Sequence, residues 1–180
     1  MPKLKLYLGN QNKDKGNLIV RKIIQKNNLL NKTEKLFIFI SILGLLPFIT
    51  GFFDLLVNKS NLFFKVNLPK YYGSIILTFL GAIYWGTILN LFSKKVIPEQ
   101  IKLIIIIWSV TPSILGITIL CIKSNFSLLV LSMGFLLCQL FDEQYNKYLS
   151  FPSWYLPLRR ILTLVVVLVL ICSYFIIKTT

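Results

Sequence analysis

Histidine is absent from this 180-residue chain. Its absence removes the commonest general base near neutral pH and the usual ligands of haem and copper. Cysteine occurs three times, as Cys121, Cys138 and Cys172, in three different apolar segments and without metal-ligand spacing. These thiols are expected to be small apolar fillers rather than a redox or zinc site. No Walker loop, dinucleotide fingerprint or nucleophile elbow occurs. The expectation is a non-enzymatic protein with no cofactor and no metal site. Charge is also scarce, at 14% of residues, against about a quarter in soluble domains.

What replaces charge is hydrocarbon, since 56% of the residues are hydrophobic. A bilayer core needs roughly 20 helical residues to cross, and five segments are candidate spans: 36–57, 71–92, 103–122, 126–141 and 158–177. They are continuously apolar rather than alternating, which favours helices over a β-barrel. The fold class expected is therefore all-α, a polytopic membrane helix bundle with five transmembrane helices over residues 36–180. The segment 126–141 is the shortest, about 24 Å as a helix. It either spans, with Lys123 snorkelling and local thinning of the bilayer, or forms a re-entrant or interfacial piece.

Residues 1–35 form a basic tail on the cytoplasmic or matrix side, without the apolar core and cleavage site of a secretory signal. Within it Leu18, Ile19, Val20, Ile23 and Ile24 interleave with Arg21, Lys22 and Lys26. That pattern fits either a short amphipathic helix on the membrane surface or a solvated tail. Thr33 is the expected N-cap of the first membrane helix. With five spans, fifteen basic residues fall on the side of the tail and five on the other. The positive-inside rule then places the N-terminus inside and the C-terminus outside. Without the tail the count is six against five, so the tail carries the orientation. The net charge of +14 is thus assigned to anionic lipid headgroups. Nucleic acid is not expected as a partner, because no groove-reading motif accompanies the charge.

Ser74, Thr78, Ala82 and Gly86 recur every four residues in the second span and predict a helix-packing face of small side chains. Ser109, Ser113 and Gly116 form a second such face in the third span. Pro112 deprives a carbonyl there of its donor, with Thr111 or Ser113 as candidates to satisfy the freed backbone. Pro47 plays the corresponding part in the first span. Polar residues in or near hydrocarbon need partners, and Asp54, Asp142 and Arg159 are the candidate polar cluster. Asp142 and Arg159 are the natural ion pair, either a structural clasp or a transport gate. Trp154 and Tyr155 suit an interfacial aromatic belt.

Several of these residues form successive motifs. Gly44-Leu45-Leu46-Pro47-Phe48 comes first, followed by the block from Tyr72-Gly73 through Gly81 to Tyr84-Trp85-Gly86, then Thr111-Pro112-Ser113 with Leu115-Gly116. Gln139 with Asp142 follows, and Pro152-Ser153-Trp154-Tyr155 with Leu158-Arg159 and Thr163 closes the series. From about residue 36 onward the chain resembles the small bacterial and mitochondrial membrane proteins of unknown function that include transmembrane protein 69. The resemblance implies a five-helix, multi-pass protein of a bacterial cytoplasmic (inner) or mitochondrial inner membrane. It supplies no activity. Where that family commonly has histidine or arginine before the tryptophan, this chain has Tyr84, so no protonation role carries over to that position. Two functional readings follow. One is a non-enzymatic accessory, assembly or scaffolding component that packs against a protein partner or forms a homo-oligomer. The other is a small transporter or channel for protons, ions or a small solute.

Overall fold

The computed structural model describes residues 31–57, 62–92, 97–149 and 151–179. The tail segment 18–24 and its contact with headgroups lie outside the described residues. Among the described residues all regular structure is helical, in six segments. They are α1 (Lys32–Leu43), α2 (Leu46–Val57), α3 (Leu62–Phe92), α4 (Glu99–Cys121), α5 (Ser127–Leu149) and α6 (Tyr155–Thr179). The chain divides into two compact units, Met1–Ile40 and Ser41–Thr180.

In the first unit α1 opens with a side chain reaching back. The Asn31 amide donates to Glu34 Oε2 at 2.7 Å, and Lys35 N–H bonds to the Asn31 carbonyl at 3.0 Å. A glutamate at this spacing satisfies an orphan amide of the first turn. The cap is therefore Asn31, and Thr33 lies inside the helix.

The expected first span, 36–57, is two helices rather than one. The break at Gly44 and Leu45 lies just before Pro47, whose ring displaces the carbonyl four residues back and which has no N–H to donate. That carbonyl belongs to Leu43, the last residue of α1. The chain turns through Leu45 N–H to Ile42 O at 3.0 Å, and α2 restarts with Phe48 and Ile49 amides on Leu45 O. Tyr72 of α3 donates its hydroxyl to the Gly44 carbonyl at 3.1 Å. The break is thus satisfied from a neighbouring helix.

The second span begins earlier than its hydropathy indicated, because α3 runs from Leu62 and carries Pro69 inside it. Lys70 is buried there. Its ammonium donates to the carbonyls of Leu120, at 3.2 Å, and Ile122. Those carbonyls end α4, where the helix dipole favours a cation. The start of α3 therefore lies against the end of α4, and the two helices are antiparallel.

α4 starts after Pro98, which has an extended ψ of 140°, and continues through Pro112. Thr111 donates to Ile107 O at 3.0 Å, which is not the Trp108 carbonyl that Pro112 leaves without its donor. α5 continues to Leu149, two turns beyond the expected end at 141, and buries the residues of one long face. α6 has Pro157 in its first turn, where no intrahelical amide bond is lost.

Two apolar clusters hold Ser41–Thr180 together. One includes Phe48, Leu77, Leu131, Phe135, Val166 and Leu170 from α2, α3, α5 and α6. The other includes Tyr84, Ile88, Ile105, Phe141 and Leu149 from α3, α4 and α5. Large apolar side chains also face outward, among them Ile75, Phe79, Ile107, Ile117, Leu140, Leu164 and Phe175. In water so extensive an apolar exterior is an aggregation surface, whereas in hydrocarbon it is the solvated face.

Four helical stretches are long and apolar enough to cross a membrane: Lys32–Val57, Asn67–Leu89, Glu99–Cys121 and Tyr155–Thr179. This is the pattern of a multi-pass membrane protein. α5 is not among the four. Its second half carries Gln139, Asp142, Glu143, Gln144, Asn146 and Lys147, and such residues are accommodated where neighbouring helices supply partners.

Candidate functional site

The polar cluster joins α3, α5 and α6. On α5, Gln139 and Asp142 are three residues apart and share a face; on α6, Arg159 and Thr163 are four apart and share another. All four are buried. Packing these faces together forms two polar rungs. Arg159 Nε donates to Asp142 Oδ2 at 3.2 Å, and Thr163 Oγ1 to Gln139 Oε1 at 3.4 Å. Asp142, near the end of α5, meets Arg159 near the start of α6, so these helices are antiparallel as well.

The third member is Tyr84 of α3. Its hydroxyl donates to Asp142 Oδ1 at 2.7 Å and stands 3.4 Å from the Cys138 carbonyl. One hydroxyl hydrogen serves the shorter contact. Both oxygens of Asp142 are therefore engaged, one by a phenol and one by a guanidinium, on a residue only 1% exposed. The phenol ring packs edge-on against Phe141 at 5.2 Å, and Phe141 stacks on Trp108 of α4 at 4.5 Å. An aromatic wall thus flanks the carboxylate.

Outside this pair lies an exposed one. Glu143 Oε1 accepts from Gln139 Nε2 and from Arg160 Nε, each at 2.8 Å. The Gln139 amide first, then the Arg160 guanidinium, hold the Glu143 carboxyl below the usual glutamate range. Gln139 is the link, since its amide reaches Glu143 and its carbonyl oxygen accepts from Thr163.

Of the other residues singled out in the sequence, Tyr155 lies within electrostatic reach of Asp142 and Arg159. Asp54 is half-buried on α2, while the cluster is built from α3, α5 and α6. Pro47 lies at the α1–α2 break, and Tyr72 bridges to Gly44. Beside it Phe48 and Tyr72 meet edge to face at 5.3 Å. A Cβ on Gly73 would stand 2.5 Å from Leu131 Cδ2 and 3.2 Å from Phe48 Cε1. Trp85 is exposed. Trp154 and Tyr155 are half-buried where α6 begins, with Tyr155 4.4 Å from the Phe151 ring.

The small residues meet at the α3–α4 seam by a register different from the four-residue stripe. A Cβ on Gly81 would come within 2.6 Å of the Ser109 carbonyl and 3.5 Å of Pro112; one on Gly116 would come within 2.8 Å of Thr78 Oγ1 and 3.0 Å of the Ser74 carbonyl. Ser74, Gly81, Ser109, Pro112 and Gly116 are buried, and Ser113 is half-buried. Ala82 and Gly86 face outward, and a Cβ on Gly86 would meet nothing within 4 Å. A strict four-residue repeat drifts about 40° around a helix at every step. By Ala82 it has left the face that begins at Ser74, and Gly81 takes its place.

Cys138 is buried, Cys121 and Cys172 are exposed, and all three thiols are free. Among the described residues no group of His, Cys, Asp or Glu is arranged to hold a metal. Sequence reasoning had no signal for the Tyr84 hydroxyl and little for Lys70. A lysine one turn before a small-residue helix face is the only trace the latter left.

Residues 33–175 match a family described as proteins of unknown function, DUF3429. The chain belongs to the DUF3429 family. No curated protein and no solved structure matches it. The match covers α1 through most of α6, so both seams and the clasp lie within the DUF3429 region.

Proposed function

We propose that this DUF3429 protein is a non-enzymatic accessory, assembly or scaffolding component of a membrane complex. The observation that carries the reading is the engagement of Asp142 on both oxygens by Tyr84 and Arg159. A carboxylate held from two other helices is suited to fixing a helix arrangement, since breaking it leaves a charge without a partner in a dry interior. In this reading residues 126–141 are the fifth span, and the polar end of α5 beyond them is sheltered by α3 and α6. The N-terminus lies inside and the C-terminus outside, by the bias of basic residues toward the side of the tail. The tail rests on anionic headgroups. The membrane is the bacterial cytoplasmic or mitochondrial inner membrane, following the resemblance to the proteins that include transmembrane protein 69.

Gentle solubilisation of the full chain from its native membrane tests the reading. A stoichiometric protein partner or a homo-oligomer is expected, and a monodisperse monomer without a partner contradicts it. The second reading, a transporter or channel for protons, ions or a small solute, draws on the same buried Asp142 and on the proline-interrupted first span. Reconstituted protein that passes protons or ions, with the flux abolished by Asp142→Asn, would favour it over the first.

A further inference from the structure

Arg159 is over nine-tenths buried, and its guanidinium is only partly matched. Nε is on Asp142 Oδ2, while the buried Nη2 meets no acceptor among the described residues. Asp142 meets the guanidinium through Oδ2 alone, and its Oδ1 accepts from Tyr84. A buried guanidinium N–H without an acceptor is costly and calls for a bound oxygen. Three features define that oxygen. It is neutral, because Asp142 already balances the charge of Arg159. It is small, because Nη2 is enclosed by protein. It both accepts and donates, because the adjacent rung holds spare acceptors: residues of neighbouring rungs on a helix face have Cβ atoms about 5–6 Å apart, Gln139 Oε1 has a second lone pair, and its bond from Thr163 is long at 3.4 Å.

We propose that one water molecule is bound inside the α5–α6 seam, accepting from Arg159 Nη2 and donating to Gln139 Oε1 and Thr163 Oγ1. Three partners are the usual number for a buried water. The water joins the two rungs into one network running from Tyr84 through Asp142, Arg159 and Gln139 to the exposed Glu143–Arg160 pair. It is independent of whether the chain serves as a scaffold or a transporter.

The chain has three arginines, Arg21, Arg159 and Arg160. Full-length protein carrying Arg21→Lys and Arg160→Lys therefore has Arg159 as its sole arginine, and 15N-arginine labelling reads that guanidinium alone. In lipid bilayers, solid-state NMR is expected to show magnetisation transfer from a slowly exchanging water to Nη2. Thr163→Val in the same background is expected to lose this transfer while keeping the Nε contact with the Asp142 carboxyl carbon. Contact of Nη2 with a protein carbonyl carbon, contact with lipid phosphorus, or absence of water transfer in the parent overturns the proposal, as does transfer that Thr163→Val leaves unchanged. If Thr163→Val does not fold, the parent spectrum decides by itself.

Discussion

The α3–α4 seam and the α5–α6 seam both join antiparallel neighbours, and apart from the Lys70 link at one end of the first they do so by opposite means. At α3–α4 the backbones approach because atoms are missing: Gly81 lies under the Ser109 carbonyl and Gly116 under Thr78 and Ser74. At α5–α6 the helices are joined by atoms that must be present, Asp142 with Arg159 and Gln139 with Thr163. The first seam gains from dispersion and close contact, which hydrocarbon does not weaken. The second depends on complete pairing, because a charge left alone there has no water to turn to. One seam should therefore respond to added volume and the other to lost partners.

The largest expected effect is on the paired seam. Asp142→Leu leaves Arg159 buried without its carboxylate and is expected to cost about 3–5 kcal/mol, read as unfolding in mixed detergent micelles. Tyr84→Phe removes only the phenol's hydrogen bond to a charged acceptor and is expected to cost about 1.5–3 kcal/mol. Equal losses for the two would mean that Arg159 contributes nothing beyond the hydroxyl.

On the small-residue seam, Gly81→Ala puts a Cβ 2.6 Å from a backbone carbonyl that has little freedom to move. A loss of about 1–3 kcal/mol is expected. Gly86→Ala, one and a half turns along the same helix, meets nothing within 4 Å and is expected to be neutral or to stabilise by up to about 1 kcal/mol through helix propensity. If both alanines behave alike, the register of the seam is wrong.

The smallest effect concerns Glu143. Its carboxyl is held below the ordinary glutamate range, so its contribution is present above that range and lost as pH falls through the lowered value. The side chain is 38% exposed, and screening keeps the effect within about 1 kcal/mol. Glu143→Gln should remove this acid-side dependence in an unfolding titration at low salt, leaving the rest of the pH profile unchanged.

The apolar stretches were legible because hydropathy over some twenty residues is a property of the segment alone. The break at Gly44 was not, since Pro47 is compatible both with a kinked helix and with the first turn of a new one. The start of α3 was hidden by Lys65, Asn67, Pro69 and Lys70, residues that read as a loop until the carbonyls ending α4 receive Lys70. Opposite charges on facing ends of adjacent apolar segments bring Asp142 and Arg159 to mind at once. That Tyr84 should supply the second bond depends on the rotation of α3, which no spacing within one segment reports. The four-residue stripe from Ser74 to Gly86 shows the same limit: regular letters, but a helix that turns by 3.6 residues.

Asp142 and Arg159 stabilise the helix arrangement as a unit, and a double-mutant cycle measures this most directly. Asp142→Leu and Arg159→Leu, singly and together, are unfolded reversibly in the same bilayer-mimetic micelles. The expectation is that each single change is strongly destabilising while the double change recovers most of the loss, a coupling of about 3 kcal/mol or more. Losses that simply add would contradict the clasp.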